Sequence, residues 1–533
     1  MTRVREPNFL NAKARFVVDD DYVKSSLNAP RFTWGFERLP DANGWRISTP
    51  NRASVELAPA PNWLMEPENQ YQSTLLWVYS LRYLEYIVVD HGDIGYADNI
   101  VNSFAEFLES PPGEKRLKTL SSRDHMTSEI LHTVTFLGSL TEFTAHDAAA
   151  SIIDSCLRWA ADDNIAVNNH GMMLCASLMQ VTRHFEGQNA AAIYEFAATE
   201  LLDILQEVFD EDGMCSENSP SYHRYYIRYL QGLLQRLPSH NLPAVSSLLH
   251  HIHDFLAQAQ LALDRITLPN GYLPPLGDGN LENVARAGTS FTAEAETYSP
   301  YNGFYSHRKK NIYFAFKCGH SSITHKHADD TSIYLWAAGQ TFITDAGHYN
   351  YDSADPINVA IKSQRGHSGA FFREFDEYYP GRLYLPSTPL TSGILNRDDQ
   401  GKLSGTAFYN DVGTIMRTVS WETDFEITLV DRFSTISNAH PVIRFVVPSD
   451  IHVTLDENGL SLQGKKARVY IQIQDPGTSV SPANRLRLSF GDSDSDEPFG
   501  WIADTFNHAE PAWNIQYSPA GDKPVTTTLK VTF

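Results

Sequence analysis

The sequence predicts an α+β multidomain protein, with an incomplete N-terminal (α/α) toroid over residues 1–300 and a C-terminal antiparallel β-sandwich over 301–533. Three observations lead there. Apolar residues recur at helical spacing from Gln72 to about residue 264, a dense turn cluster follows at Leu268–Gly279, and beyond about Asn311 the chain breaks into short β-rich runs. At 533 residues the chain is also too long for one ordinary core.

The first 60 or so residues are mixed and carry no clear pattern. Leu75–Ile87 is apolar almost all round the helix axis, which predicts a helix packed on more than one side. Further helices are expected at about 98–109, 126–140, 147–161, 170–185, 190–209, 219–236 and 243–264. Polar breaks such as Ser110-Pro111-Pro112-Gly113 and Leu237-Pro238-Ser239-His240 separate them. Such a succession makes a solenoid or a closed toroid, and the lack of a fixed-period repeat favours the toroid. Ile312–Phe316 opens the strand region, and Ser332–Trp336 with Thr341–Thr344 reads as a hairpin around Ala337-Ala338-Gly339-Gln340. Later strands are expected at Thr414–Trp421, Phe425–Val430, Val442–Val447, Ala467–Ile473, Arg485–Phe490 and Thr526–Phe533.

Composition narrows the function. Hydrophobic residues at 42% and charged residues at 20% are globular values, and a formal charge of −22 argues against nucleic-acid or anionic-membrane partners. A polyanion would still be attracted by a cleft lined locally with Arg, His and Asn, but long-range steering should be poor. Cys156, Cys175, Cys215 and Cys318 are scattered, with no CxxC pair, and read as buried free thiols. The start, Met1-Thr-Arg-Val-Arg-Glu-Pro-Asn, lacks the apolar core of a signal peptide, so the chain as written reads as cytoplasmic, or as periplasmic or secreted if a leader has been removed. No segment approaches a membrane span.

Three clusters rich in His, Asn and Tyr carry the chemistry. Asn168-Asn169-His170-Gly171 opens a helix, where Asn is a good cap and the positive helix end can hold a carboxylate. Glu217-Asn218-Ser219-Pro220-Ser221-Tyr222-His223-Arg224 also opens a helix, with Pro at the first position, and most of its tyrosines should be packing residues. The third is His325-Lys326-His327-Ala328-Asp329-Asp330, followed by Asp345-Ala346-Gly347-His348 and Arg365-Gly366-His367-Ser368. In a strand-rich context a His-x-His pair points both rings to one side, and two His with a carboxylate are common zinc ligands. Along a straight hairpin, however, Asp345 would lie roughly 16 Å from His327. The chain must bend near His327 or Gly347 to join them.

In these blocks the sequence resembles the heparinase II/III-like polysaccharide lyases. The shared features are Asn169-His170, Ser219-Pro220-x-Tyr222-His223, His325-x-His327-Ala328-Asp329, Asp345-x-Gly347, Arg365 with His367, and the Leu273–Asp278 turn, in the family's order from Trp77 to about Asp431. Two departures are Ser368, where members often carry Asn, and Arg444-Phe445-Val446-Val447-Pro448, where members often carry a His.

The resemblance implies cleavage of a uronic-acid-containing anionic polysaccharide by β-elimination, and it implies the site residues. Asn169 and His170, with Asn168, would surround the uronate carboxylate. Tyr222 would be the acid at the leaving oxygen, with His170 or His325 as base in preference to Tyr222 doing both. Glu217, Arg224 and Arg365 are candidate substrate contacts. His327, Asp345 and His367 match the family's ligands for one structural zinc, which would also help to place His325. Two other readings are open: a toroid glycoside hydrolase with carboxylates from Glu211, Asp212 or Glu217 and Asp278, and a non-catalytic glycan-binding protein.

Overall fold

The computed structural model describes residues 13–533 apart from 28–33, 41–43, 51–52, 67–71, 121, 163, 238–242, 437–438 and 493–497. The sequence break at 238–240 and the extreme N-terminus therefore lie outside the described residues. Helices come first and antiparallel sheets second, as the pattern of the sequence predicts. By packing the chain forms two compact units, Met1–Val208 with Arg228–Asp254 and Phe209–Ile227 with Phe255–Phe533. The change of packing thus does not coincide with the change of secondary structure near residue 300.

In the first unit, the stretch with no clear pattern contains a helix, Asp20–Leu27, and a three-stranded antiparallel sheet of Gly35–Arg38, Trp45–Ser48 and Ser54–Leu57. The apolar run expected as one helix is two, Gln72–Tyr79 and Tyr83–His91. Leu81 between them has φ +57°, which no helix accommodates. Ser110-Pro111-Pro112-Gly113 is a start as well as a break. The Ser110 hydroxyl accepts from the Gly113 N–H at 3.2 Å, and Pro111 fits the first turn of helix Pro111–Lys118. Helix Arg123–Gly138 packs on both His146–Asp162 and Asn169–Val181, which explains why it is buried around most of its circumference.

In the second unit an eight-stranded antiparallel sheet runs Thr391–Arg397, Leu403–Tyr409, Gly413–Thr423, Glu426–Thr435, Val525–Thr532, Arg468–Gln474, Gly459–Gln463, His452–Asp456. Two five-stranded sheets accompany it: one holds the expected hairpin Ser332–Ala337 and Gln340–Ile343, and the other centres on Pro441–Pro448 and His508–Tyr517. Phe314, Leu335, Ile415, Leu429, Phe445 and Ile515 from all three meet in one core. Inside it lies a wholly buried ion pair. Arg417 and Asp431 are cross-strand partners, joined by Nε–Oδ1 at 2.7 Å and Nη2–Oδ2 at 2.9 Å. Arg417 Nη1 donates to the Thr331 carbonyl at 2.9 Å, so the sheet pins the turn that follows the His-x-His segment.

Candidate active site and metal centre

The site in the second unit is built around the loop Leu273–Gly279. Gly277 has φ +56°, and a Cβ there would stand 2.5 Å from the Asn218 carbonyl oxygen and 3.0 Å from that of His325. Only glycine lets this loop press against both backbones. Asn218 and His325 themselves adopt left-handed φ values of 59° and 57°, a cost that persists where surrounding contacts over-determine the backbone. Asn218 Nδ2 supplies such contacts, donating to the carbonyls of Ser322 at 2.7 Å and Thr324 at 3.0 Å.

This close approach places Asp278 among three imidazoles and an ammonium. His325 Nδ1 donates to Oδ2 at 2.9 Å and His327 Nε2 to Oδ1 at 2.9 Å; His348 Nδ1 lies 2.9 Å and Lys362 Nζ 2.5 Å from Oδ1. Burial alone would raise the Asp278 carboxyl, but His348, Lys362 and the two hydrogen-bonding histidines hold it well below the usual carboxylate range. His325 and His327 do face one side, although by a turn at His325 rather than by strand alternation.

The other nitrogen of His325 lies 3.6 Å from Glu217 Oε2, and Glu217 Oε1 accepts from the Tyr226 hydroxyl at 2.7 Å. The face of the His325 ring is covered by Tyr222, with centroids 3.4 Å apart and an interplanar angle of 19°. Tyr222 stands in the first turn of helix Pro220–Arg236, and its hydroxyl is 2.6 Å from that of Tyr351. Burial first, then the neighbouring Tyr351 and Asp278, push the Tyr222 phenol well above its ordinary value, so it rests protonated.

Asp345 and His367 meet His327 behind this network. A turn closed by Ser332 N–H to the Asp329 carbonyl, with Thr331 at φ +68°, supplies the bend that a straight hairpin lacks. Ligand atoms of His327, Asp345 and His367 all lie within 4.8 Å of one another, so the three can hold a metal ion. The hydrogen bonds agree with that. An ionised carboxylate only accepts, so His327 carries its proton on Nε2 toward Asp278, and His367 on Nδ1 toward Asp345 Oδ2 at 2.9 Å. The remaining nitrogens, His327 Nδ1 and His367 Nε2, are buried and have no hydrogen-bond partner among the described residues, as lone pairs suited to a cation would be.

The other expected site residues fall as follows. Asn168, Asn169 and His170 belong to the first unit. Asn168 is the cap of helix Asn169–Val181, its Oδ1 accepting from His170 N–H at 2.9 Å and Gly171 N–H at 3.3 Å. Every residue of that helix but His170 is buried, and the His170 ring stacks on His125 at 4.8 Å. Arg224 is paired with Glu282 at 2.5 Å. Glu217 and Arg365 are 1% and 4% exposed, so Glu217 supports His325 from within and Arg365 lies against the Phe499 ring. Of the carboxylates for a hydrolase, Glu217 and Asp278 flank an imidazole instead of an open glycosidic bond. The two departures have structural work: the Ser368 hydroxyl donates to the Thr344 carbonyl at 2.7 Å, and Arg444 is buried against Asp376 at 2.6 Å. Sequence reading passed over the links of Asp278 to His325 and His327, and passed over Tyr351 and Lys362 altogether. All four cysteines are buried and free.

Comparison with known proteins agrees with this architecture. No curated protein matches the sequence. The structure resembles a crystal structure of heparinase III (TM-score 0.66, 14% identity, covering 100% of this chain and 88% of that one). It also resembles a heparan sulfate lyase from Pedobacter heparinus (TM-score 0.56, 15% identity, 99% and 86%). A further heparinase III gene product, with methylated lysines, gives a TM-score of 0.62 at 13% identity, covering 100% and 87%. These likenesses show the fold. Residues 294–527 match the family described as heparinase II/III-like, C-terminal.

Proposed function

We propose that the chain is a polysaccharide lyase that cleaves a uronate-containing glycosaminoglycan by β-elimination. The observation that carries this reading is Tyr222, a protonated phenol stacked on His325 and hydrogen-bonded to Tyr351. The match to the heparinase II/III-like family, and the heparan sulfate lyases among the similar structures, support the substrate class. Elimination needs a neutralised carboxylate, a base for the C5 proton and an acid for the departing glycosidic oxygen. Asn169 and His170 neutralise the carboxylate, and Tyr222 protonates the leaving oxygen. A histidine, His325 or His170, takes the C5 proton. Tyr222 suits the acid role because burial disfavours its phenolate.

The metal is read as zinc, one per chain, held by His327, Asp345 and His367. When bound it cross-links the loop that carries His325, a structural contribution rather than polarisation of substrate. Asp278 links the two functions, since it touches His325 with one oxygen and His327 with the other.

A panel of uronate polymers followed by ultraviolet absorbance tests the activity, because elimination creates a conjugated double bond and hydrolysis does not. Tyr222→Phe should lower turnover by about a hundredfold or more while zinc content and melting temperature hold. Near-normal turnover in that variant would remove Tyr222 from the reaction. Metal analysis should find about one zinc per chain, lost in His327→Ala.

A further inference from the structure

Beside the Tyr222 hydroxyl lies a pair of exposed aromatic rings. Tyr351 is 54% and Phe506 42% exposed, with centroids 5.9 Å apart. Both lean on His348, which is only 4% exposed: its ring is 4.6 Å from Tyr351 and stacks on Phe506 at 5.2 Å. Polar side chains would be expected on two adjacent surface loops, and rings left half in water cost hydration unless something covers them.

The rings are also held still. Phe506 sits in the turn between strands Trp501–Thr505 and His508–Tyr517. That turn is tied to the loop carrying Tyr351 by Ala503 N–H to the Ala346 carbonyl at 2.7 Å and Asn507 N–H to the Tyr349 carbonyl at 2.7 Å. Asn280 Nδ2 bridges the two, donating to the carbonyls of His348 and Ala503 at 2.9 Å each. Gly347 allows the approach, since with φ +71° a Cβ there would stand 2.5 Å from the Ala503 carbonyl oxygen. A preorganised ring pair loses little entropy when a ligand lands on it.

We propose that Phe506 and Tyr351 form a stacking platform for a sugar ring of the polysaccharide next to the cleaved bond. The ligand class rests on the lyase reading above. Two features favour a sugar over a protein partner. Two rings are far smaller than the roughly 800 Å² per partner of a stable protein interface. The platform is also continuous with Tyr222 through the 2.6 Å hydroxyl contact, so a ring on it would lie beside the leaving oxygen that Tyr222 serves. A pyranose fits such a surface, offering an apolar C–H face to the rings and hydroxyls to the Tyr351 tip.

Binding and turnover test this separately. In a Tyr222→Phe background, calorimetry with size-defined heparan sulfate and hyaluronan oligosaccharides should show Kd rising about tenfold on Phe506→Ala. Phe506→Tyr should restore it. With Tyr222 intact, Phe506→Ala should raise KM by a similar factor, with kcat within about twofold and metal content unchanged. An unaltered Kd and KM in Phe506→Ala, or a fall in kcat at constant KM, overturns the platform. Absence of any ultraviolet-absorbing product from the unaltered enzyme overturns the lyase reading instead, and Phe506-dependent oligosaccharide binding would survive it.

Discussion

Asp278 accepts from His325 with one oxygen and from His327 with the other, while Lys362 and His348 hold it ionised. Replacing it with Asn keeps the shape but removes the charge and one acceptor. Asp278→Asn should lower zinc affinity by about 10–100-fold and lower kcat as well, measured by metal titration and initial rates; full activity at full zinc loading would argue against the shared role. Asp504 gives a prediction of the opposite kind. Burial first, then Glu510 and Asp450, raise its carboxyl to about 6. A carboxyl raised on folding favours the fold below the ordinary value of 3.8, and that contribution is lost as pH rises through about 6. Asp504→Asn should therefore stabilise the protein at pH 7.5 by at most about 3 kcal/mol and have little effect near pH 4, read from melting temperatures. At this scale the sequence showed which residue types carry chemistry but not who meets whom. Asp278 lies 47 positions from His325, and no local spacing links them. Tyr351 and Phe506 stand in ordinary loop sequence, so only the fold distinguishes them from packing residues.

The loop Leu273–Gly279 and the His-x-His segment fit together because Gly277 has no side chain. Gly277→Ala adds a Cβ into backbone on two sides at a left-handed φ, and should destabilise by about 2–4 kcal/mol with activity lost in step. Chemical denaturation measures it, and a loss below the error of the method would show that the loop yields easily. Regular elements were legible where the pattern was strong: Ile312–Lys317, Ser332–Ala337 and Pro441–Pro448 fall within a residue or two of expectation. Boundaries set by backbone conformation were not. Leu81 breaks a helix that hydrophobicity alone would continue, and Ser110 caps a helix in a stretch that reads as a plain break. A bend near His327 was expected, but its form, the turn Asp329–Ser332, was not legible, since Arg417, 86 positions away, is what pins Thr331.

At the scale of the whole molecule, a charge of −22 repels the polyanion proposed as substrate. Raising salt from about 10 to about 100 mM shrinks the screening length from roughly 30 to 10 Å. The ratio kcat/KM should rise a few-fold over that range before it falls, whereas a steady fall from the lowest salt would mean that local cations dominate the approach. The order of helices before sheets was readable from periodicity, but the packing division was not, because Phe209–Ile227 precedes a long helical stretch yet packs with the sheets. That arrangement bears on anyone trimming the gene. A fragment cut at the family match, residues 294–527, would carry His327, Asp345 and His367 intact. It would arrive without Asp278 and Tyr222, three candidate ligands severed from the carboxylate that touches His327 and from the phenol stacked on His325.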